Sequence, residues 1–369
     1  MAEQPSRFMQ MALDAAASVR GTTSPNPWVG AVVVRDGSVV SVGATNPPPG
    51  PHAEAAALAG MPRGAGGDLY VTLEPCAAFP GKRTRPCAEA IIEAGVRRVV
   101  VALEDPHPGV RGQGMAVLRA AGVEVEVGDG RAEATDLLRP YLKHRQTGLP
   151  YVIAKFAASL DGRTATASGD SKWITGEAAR ARGHEQRAWV DAVMAGSGTV
   201  LADDPELTAR RNGTVLPRQP VRIVLDARGR VSPGARLFAV PGKVIVATSA
   251  TAPGDWKQAI AAAGAQVIEC EPTADGLNLN QLLHALGERG IMSIWAEGGA
   301  TLLGSLFDGH HADEVWAFIA PVVIGGPGPG AVAGRGATLI SEASRLEDAV
   351  VETIGADVLV RGYTTYWRP

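Results

Sequence analysis

The stretch PHAEAAAL (residues 51–58), taken with VTLEPC (residues 71–76) and Cys87, decides the fold of the first half of this chain. The imidazole of His52 and the thiols of Cys76 and Cys87 form a three-ligand set that suits Zn²⁺ and leaves a fourth position for water. Zinc lowers the pKa of such a water, so that hydroxide is present near neutral pH. The sequence therefore predicts one zinc ion held by these three residues.

Glu54 is expected to be the catalytic residue of this site. It follows His52 by two positions, which places its carboxylate to move protons between the water and a ring nitrogen or leaving amine. A histidine, a glutamate that is not a ligand and then a Pro-Cys pair are typical of zinc nucleobase deaminases. Each residue alone has a simpler interpretation, as a helix cap or a buried apolar filler, but together they favour a deaminase.

The composition is that of a globular protein whose length allows two domains. The chain has 369 residues, of which 46% are hydrophobic and 20% charged, and its formal net charge is −3. No run of basic residues stands out, which argues against a nucleic-acid partner. No apolar run approaches membrane-spanning length, so we expect no membrane partner. Three cysteines do not suggest a disulfide framework, and we expect a reduced, cytoplasmic protein.

Apolar strand-like and helix-like segments alternate along both halves of the chain, which predicts an α/β fold in each. In the first half, two apolar runs around Asp36-Gly37 predict a β-hairpin. A polar stretch at 143–148 precedes the second alternating series, and we place the domain boundary there. The expected domains are residues 1–146 and residues 147–369.

A phosphate site is expected in the second half, where residues 295–303 have the pattern of a strand, a glycine turn and a helix. Backbone N–H groups at such a helix start favour a phosphate. The pattern alone is also that of a plain tight turn. It is not a dinucleotide-binding fingerprint, because no G-x-G-x-x-G follows a strand in that region.

The first half resembles the deaminase half of the bifunctional riboflavin-biosynthesis deaminase–reductase family. The resemblance is carried by TSPNPWVG (residues 23–30), PHAE (residues 51–54) and VTLEPC (residues 71–76). It implies a three-layer fold like that of cytidine deaminase, and a diaminopyrimidinone substrate that carries a ribose phosphate. The matching positions imply that the zinc ligands are His52, Cys76 and Cys87. They also imply that Glu54 is the proton shuttle and that Asn26 contacts the pyrimidine.

The second half resembles the reductase half of the same family, through KFAASLDGR (residues 155–163), SKWIT (residues 171–175) and GTVLADDP (residues 198–205). It implies a dihydrofolate-reductase-like α/β fold that uses NADPH. The residues that would contact NADPH are Ala157, Trp173, Thr199, Asp203, Gly299, Ala300, Thr301, Leu302, Leu303, Gly304 and Ser305. Those that would contact the substrate are Ser171, Arg187, Leu207, Arg210 and Glu297, with Lys155 placed to polarise the ribose carbonyl.

Together the two halves imply a two-step enzyme. It would deaminate 2,5-diamino-6-(ribosylamino)-4(3H)-pyrimidinone 5'-phosphate and then reduce the ribosyl side chain with NADPH, giving 5-amino-6-(ribitylamino)uracil 5'-phosphate. The resemblance also implies a homodimer or a higher homo-oligomer that acts on a small molecule.

Other hypotheses stay open at this point. One is a nucleobase or tRNA deaminase with an unrelated C-terminal domain. Another is a reductase-only protein with an impaired deaminase half, because AAFPGKRTRP (residues 77–86), between the two cysteines, is longer than is usual in the family and lacks its histidine. A third is a protein that binds these ligands without turning them over.

Overall fold

The computed structural model describes residues 4–78, 84–274 and 276–369. The chain divides into two compact units, the first ending at Gly148 and the second running from Leu149 to Arg368. The polar stretch in which the sequence places the domain boundary is the end of a helix, Arg131–Thr147, and the boundary between residues 146 and 147 falls inside it. Gly148 caps the end of this helix and has a φ of 75°. Basic side chains in its last turn face the negative end of the helix dipole, which explains the polar composition.

The first unit consists of a sheet with helices on both faces. Its helices, as far as the structure describes the chain, are α1 (Arg7–Ser18), α2 (Ala53–Leu58), α3 (Cys87–Glu93), α4 (Gln113–Ala120) and α5 (Arg131–Thr147). Its strands are β1 (Gly30–Arg35), β2 (Ser38–Ala44), β3 (Asp68–Val71), β4 (Arg98–Val101) and β5 (Glu124–Val127).

The strands of this sheet lie in the order β2-β1-β3-β4-β5. β1 is antiparallel to β2 and β3, whereas β3, β4 and β5 are parallel. The predicted hairpin turns at Asp36 and Gly37, which both have positive φ, as a tight two-residue turn requires. Apolar residues of α1 and α5 cover one face of the sheet, and α2 packs on the other. This confirms the predicted three-layer α/β arrangement.

The second unit is built on a larger sheet. Its helices, among the described residues, are α6 (Glu177–Arg187), α7 (Ser197–Asp203), α8 (Arg236–Ala239), α9 (Gly254–Ala262), α10 (Leu279–Glu288) and α11 (Ala300–Asp308), with a 3₁₀ turn at Ile340–Glu342. Its strands are β6 (Tyr151–Ser159), β7 (Ala192–Gly196), β8 (Arg210–Arg211), β9 (Thr214–Val215), β10 (Val221–Leu225), β11 (Val244–Ser249), β12 (Ala265–Cys270), β13 (Pro272–Thr273), β14 (Gly276–Leu277), β15 (Ser293–Ala296), β16 (Glu314–Ala320), β17 (Glu347–Ile354) and β18 (Asp357–Tyr363).

The large sheet has the order β12-β11-β10-β7-β15-β6-β16-β18-β17. All neighbours from β12 to β16 are parallel, and β18 and β17 add an antiparallel edge. The chain runs outward to β12 and then returns to insert β15 between β7 and β6. Ligand sites in open α/β sheets form beyond the carboxyl ends of strands where the order reverses, so this edge is where a site is expected.

Alternate residues of the central strands pack on opposite faces of the large sheet. In β6, Val152 belongs to the core beneath α10 and α11, whereas Tyr151 and Ile153 belong to the core that contains Trp295. β16 ends at Ala320, because Pro321 has no N–H to continue the ladder. None of the helices in the described part of the chain is long and apolar enough to cross a membrane.

Gly304, in α11, is where that helix passes closest to the segment at Ala333. A Cβ on Gly304 would overlap the carbonyl oxygen of Ala333, and backbone cannot move aside cheaply. We expect Gly304→Ala to destabilise the second unit by about 1–3 kcal/mol, through overpacking. Thermal unfolding followed by tryptophan fluorescence checks this, because six of the seven tryptophans follow Gly148 in the sequence.

The matched control is Gly254→Ala at the start of α9, where a Cβ would meet nothing within 4 Å. This change should leave the midpoint unaltered or raise it slightly, because alanine loses less chain entropy on folding. Equal midpoints for the two variants would contradict the close packing of α11.

Candidate functional site

The three predicted zinc ligands meet in the first unit. His52 precedes α2, Cys76 follows β3, and Cys87 is the first residue of α3. The Nδ1 atom of His52 lies 3.6 Å from the Sγ atom of Cys76 and 3.5 Å from that of Cys87, and all three ligand atoms lie within 4.8 Å of one another. Tetrahedral zinc, with Zn–S near 2.3 Å and Zn–N near 2.0 Å, sets its sulfur and nitrogen ligands about 3.5 Å apart. The geometry therefore fits a zinc ion.

Backbone amides support the first thiol of this triad. The N–H of Cys87 donates to the Sγ atom of Cys76 at 3.4 Å, and the N–H of Ala88 donates to the Cys76 carbonyl at 3.2 Å. A hydrogen bond donated to sulfur favours the thiolate, which is the form that binds metal. The start of α3 thus fixes both cysteines relative to each other.

Glu74 holds the turn that carries Cys76. Its buried carboxylate accepts hydrogen bonds from the backbone N–H groups of Gly112 at 2.9 Å and Gly114 at 3.0 Å. A Cβ on Gly114 would overlap the carbonyl oxygen of Pro75, so only glycine allows this approach. The start of α4 is therefore clamped against the Pro-Cys turn.

Glu54 lies beside the triad in the first turn of α2 and is only 3% exposed. Burial, and then the charge of Cys76, raise the pKa of Glu54 to about 7. A carboxyl that titrates near neutral pH can both accept a proton and return it. Glu54, His52 and Cys76 line a cavity of about 130 Å³ together with Asn26, so the structure brings these predicted residues together.

Asp105, Tyr141 and Arg145 also line this cavity and were not predicted from the sequence. The hydroxyl of Tyr141 donates to both carboxylate oxygens of Asp105, at 3.0 and 3.1 Å, and burial raises the pKa of Asp105 to about 6. The guanidinium of Arg145 lies over the Tyr141 ring, 5.1 Å from its centroid. Asp105 could have been found, because it follows β4 as Cys76 follows β3, and parallel neighbours end at the same edge. Tyr141 and Arg145 lie on α5, and no motif marks them.

A second cavity, of about 620 Å³, lies in the second unit. It is lined by twelve of the residues predicted to contact NADPH or the substrate. These are Lys155, Ala157, Ser171, Trp173, Arg187, Thr199, Asp203, Leu207, Arg210, Glu297, Gly299 and Ala300. Residues from several separate segments thus converge on one site.

A partly buried ion pair organises one wall of this cavity. The Nε atom of Arg187 lies 2.6 Å from a carboxylate oxygen of Glu297, and its Nη1 atom donates to the carbonyl of Thr208 at 2.9 Å. Burial, together with the charge of Arg187, lowers the pKa of Lys155, whereas Glu297 opposes this change. Burial and then Arg187 lower the pKa of His184 to about 4, so His184 is neutral at physiological pH.

His184 was not predicted, although it lines the cavity one helical turn before Arg187 on α6. That spacing places both side chains on one helix face, which was the available signal. Arg210 pairs with Glu206, which also pairs with Arg236. Six lysine and arginine side chains and three carboxylates line the cavity within the described residues. The excess of cations suits a ligand with several phosphate charges.

The start of α11 borders both the second cavity and a third, of about 310 Å³. Gly299 lines both cavities, and Thr301, Leu302 and Ser305 line the third. The predicted contacts Leu303 and Gly304 line neither and are buried. The N–H groups at the start of α11 are therefore placed to hold a phosphate between the two cavities.

Comparisons with known proteins identify both halves. The family model for the RibD C-terminal domain matches residues 150–360, and the model for the cytidine and deoxycytidylate deaminase zinc-binding region matches residues 2–103. Riboflavin biosynthesis protein RibD of Bacillus amyloliquefaciens is 41% identical over 358 residues, which is 95% of this chain and 94% of that protein. RibD of Escherichia coli K12 is 39% identical over 96% of this chain and 98% of its own length.

This chain belongs to the RibD family. Among solved structures, Acinetobacter baumannii RibD is 36% identical, with a TM-score of 0.86 over 97% of this chain and 98% of that one. A deaminase/reductase from Thermotoga maritima is 34% identical, with a TM-score of 0.83 over 97% of both chains. Membership confirms an enzyme of riboflavin biosynthesis with deaminase and reductase activities, which uses Zn²⁺ and NADPH.

Membership of the RibD family also excludes one of the open hypotheses. A deaminase with an unrelated C-terminal domain is wrong, because the second half is itself the RibD C-terminal domain. The reductase-only hypothesis rests on the segment between Cys76 and Cys87, of which residues 79–83 lie outside the described part of the chain.

Zinc binding can be assigned to the triad with a matched cysteine variant. We expect Cys87→Ala to lower the zinc content of the purified protein from about one ion per chain to near zero, because the two remaining ligands cannot hold zinc tightly. Metal analysis by mass spectrometry measures this. Cys270→Ala is the control, because Cys270 is buried in the second unit beneath α10. Full zinc content in the Cys87 variant would remove that residue from the site.

Proposed function

We propose that this chain catalyses two successive reactions of riboflavin biosynthesis. In the first, water replaces the 2-amino group of 2,5-diamino-6-(ribosylamino)-4(3H)-pyrimidinone 5'-phosphate and ammonia leaves. In the second, NADPH reduces the ribosyl side chain to give 5-amino-6-(ribitylamino)uracil 5'-phosphate. The observation that carries the proposal is that one chain holds the triad with Glu54 and also a cavity with an excess of cations. The similar protein from Thermotoga maritima is named for both activities.

In the deaminase half, His52, Cys76 and Cys87 would hold the zinc ion. Zinc supplies a water of lowered pKa when bound. The carboxylate of Glu54 would take one proton from that water and deliver it to a ring nitrogen of the pyrimidine. It would then pass the second proton, from the oxygen added to the ring, to the departing amine. The near-neutral pKa of Glu54 suits both transfers. Asn26, which lines the same cavity, would hold the pyrimidine ring by its side-chain amide.

In the reductase half, the cavity would hold nicotinamide and substrate side by side. The ribosylamino group opens to an imine-like form whose C1' carbon can accept a hydride. Aligning this carbon with the nicotinamide is the main task of the protein. The proposed NADPH contacts are Ala157, Trp173, Thr199, Asp203, and Gly299 to Ser305. The proposed substrate contacts are Lys155, Ser171, Arg187, Leu207, Arg210 and Glu297.

A cytoplasmic homodimer is the setting we propose for both reactions. The three cysteines form no disulfide with one another, as is usual in a reducing compartment. β17 lies at the edge of the large sheet and exposes apolar side chains, with Val350 45% and Val351 68% exposed. An edge strand of this kind is usually covered by a partner, which supports association through this edge.

Glu54→Gln tests the first activity. We expect ammonia release from the diaminopyrimidinone to fall by about 10²–10⁴-fold, because the amide can no longer accept the proton. Zinc content should stay unchanged, and NADPH oxidation should be normal when the deaminated intermediate is supplied. Glu89→Gln, on the exposed face of the neighbouring helix α3, is the control and should leave both rates unchanged.

The same assays separate the remaining hypotheses. Loss of both activities in the Glu54 variant would contradict two independent sites. Wild-type protein that oxidises NADPH with the intermediate but releases no ammonia would establish the reductase-only hypothesis. Bound zinc with neither activity would favour a protein that only binds its ligands.

Arg210→Ala tests the substrate side of the reductase cavity. We expect the KM for the deaminated intermediate to rise at least tenfold, because a guanidinium that can grip the substrate phosphate is lost. The Kd for NADPH should change less than twofold. Arg211→Ala is the control, because Arg211 is exposed and outside the cavity lining. Equal losses for the two ligands would exclude Arg210 from substrate recognition.

A further inference from the structure

The cavity beside the zinc triad, of about 130 Å³, is smaller than the substrate proposed for it. Pockets that enclose a whole small ligand usually measure about 300–1,000 Å³. The diaminopyrimidinone ring must enter this cavity to reach the triad and Glu54, and its ribose phosphate must then extend outward. The residues that meet the phosphate are therefore at the opening of the cavity rather than inside it.

The lining of this cavity divides into a buried interior and a half-buried opening. The interior, within the described residues, holds three carboxylates and a thiol, which are those of Glu54, Glu74, Asp105 and Cys76. A phosphate dianion is not favoured among such groups. The half-buried lining residues, which we call the mouth, are Asn26, Pro27, His52, His107 and Arg145.

Arg145 is the one side chain of the lining, in the part of the chain that the structure describes, that is positively charged at neutral pH. Burial, and then the charge of Arg145, lower the pKa of His107, so the imidazole of His107 is neutral. Its Nδ1 atom accepts from the N–H of Gly109 at 3.0 Å, which leaves the ring proton on Nε2. Arg145 is therefore the group at the mouth that can neutralise a phosphate.

Contacts on two sides hold the Arg145 guanidinium at the mouth. Arg145 follows Tyr141 by one turn of α5, and its guanidinium lies over the Tyr141 ring, 5.1 Å from the centroid. On the other side its Nη2 atom donates to the carbonyl of Pro25 at 3.4 Å. Pro25 precedes Asn26, the proposed pyrimidine contact. The guanidinium thus lies beside the loop that would hold the ring.

The Arg145 guanidinium keeps hydrogen-bond donors for a ligand. A guanidinium has five N–H donors, and the bond from Arg145 to Pro25 is long for this kind of hydrogen bond. The Nε atom of Arg145 is buried and has no acceptor among the described residues. Because arginine binds phosphate through parallel N–H donors, a phosphate at the mouth would supply the acceptors that this side chain can still take.

We propose that Arg145 binds the 5'-phosphate of the substrate in the deaminase half and makes this half select the phosphorylated ribosylaminopyrimidine over the same compound without phosphate. The assignment rests on the proposed function of the deaminase half. Arg145 is then a specificity residue, separate from the zinc ligands and Glu54, which act on the ring. As a basic residue in the last turn of α5 it also favours the helix dipole, but that role does not depend on a phosphate in the substrate.

The test compares two substrates of the full-length, zinc-loaded protein, the diaminopyrimidinone ribosyl phosphate and the nucleoside that lacks the phosphate. We expect ammonia release by the wild type to favour the phosphate by about 10- to 100-fold in kcat/KM, as for a hydrogen bond to a charged group. Arg145→Met, which keeps an unbranched side chain over Tyr141 without the charge, should lose most of this preference. The loss should raise the KM for the phosphate and leave kcat nearly unchanged, because the contact is remote from the reacting atoms.

The preference is a ratio of two kcat/KM values of one variant, so it does not depend on the fraction of protein that is folded or zinc-loaded. A partly unfolded Arg145 variant therefore still gives a valid result. Arg145→Lys, which keeps the charge, should retain part of the preference. Arg131→Ala is the control and should retain all of it, because Arg131 is an exposed arginine at the start of the same helix and outside the cavity lining. NADPH oxidation with the deaminated intermediate should be normal in every variant.

Four other outcomes overturn the proposal. An unchanged preference in Arg145→Met would place the phosphate on another group and leave the deaminase assignment intact. Equal losses for both substrates in that variant would show that Arg145 supports the ring or the fold. Wild-type protein that deaminates both substrates equally well would exclude phosphate recognition in this half. Wild-type protein that releases ammonia from neither would refute the deaminase assignment, and this inference with it.

Discussion

Hydrogen bonding between parallel neighbouring strands brings the carboxyl ends of those strands to one edge of a sheet, and both sites depend on this constraint. In the first unit, β3 and β4 end side by side, so Cys76 and Asp105 reach the same cavity although they are far apart in sequence. In the second unit, β6, β7, β10 and β15 run parallel, and the segments that follow them supply the walls of both cavities. The residues are distant in the chain because the sheet, rather than local sequence, brings them together.

Buried carboxylates hold these loops in place. Glu74 accepts from the start of α4, and Asp226 accepts from the loop after β10. Asp191 does the same for the start of β15, accepting from the N–H groups of Met292 at 2.9 Å and Ser293 at 3.0 Å. An ionised carboxylate is costly to bury unless hydrogen-bond donors replace its water, and here backbone amides donate to at least one oxygen of each carboxylate. The hydrogen bonds between these carboxylates and the backbone N–H groups therefore fix the loops. Replacing one of the carboxylates by an apolar side chain would remove those hydrogen bonds.

The sequence predicted those helices and site residues that are marked by the spacing of residues close together in the chain. The sequence of α10 (Leu279–Glu288) indicates a helix, because an apolar stripe and the Asn278 cap mark both its face and its start. The zinc triad was predictable because each ligand sits at the end of a recognisable element. α5 was missed, since Pro140 and the polar residues of its last turns imitate a linker. β17 was missed because nearly all its residues are exposed and its sequence shows no alternation of apolar and polar residues.

The sequence could not predict the residues whose roles arise only from packing between elements. Tyr141 contacts Asp105 because α5 lies against the sheet at that point, and His184 is neutral because three cations and burial surround it.

The net charge of the whole chain does not predict the charge of a binding cavity, because the cavity too is formed by residues that are distant in the sequence. The chain as a whole carries −3, yet six cations and three carboxylates line one cavity within the described residues. The electrostatic potential inside a low-dielectric cleft is set mainly by the charges in its own walls, because surface charges farther away are screened by salt. The near-neutral total therefore argues against a broad nucleic-acid surface, but it says little about binding of a small phosphorylated ligand. For such a ligand the charges that line the cavity are what matter, and Arg187 and Arg210 are among them.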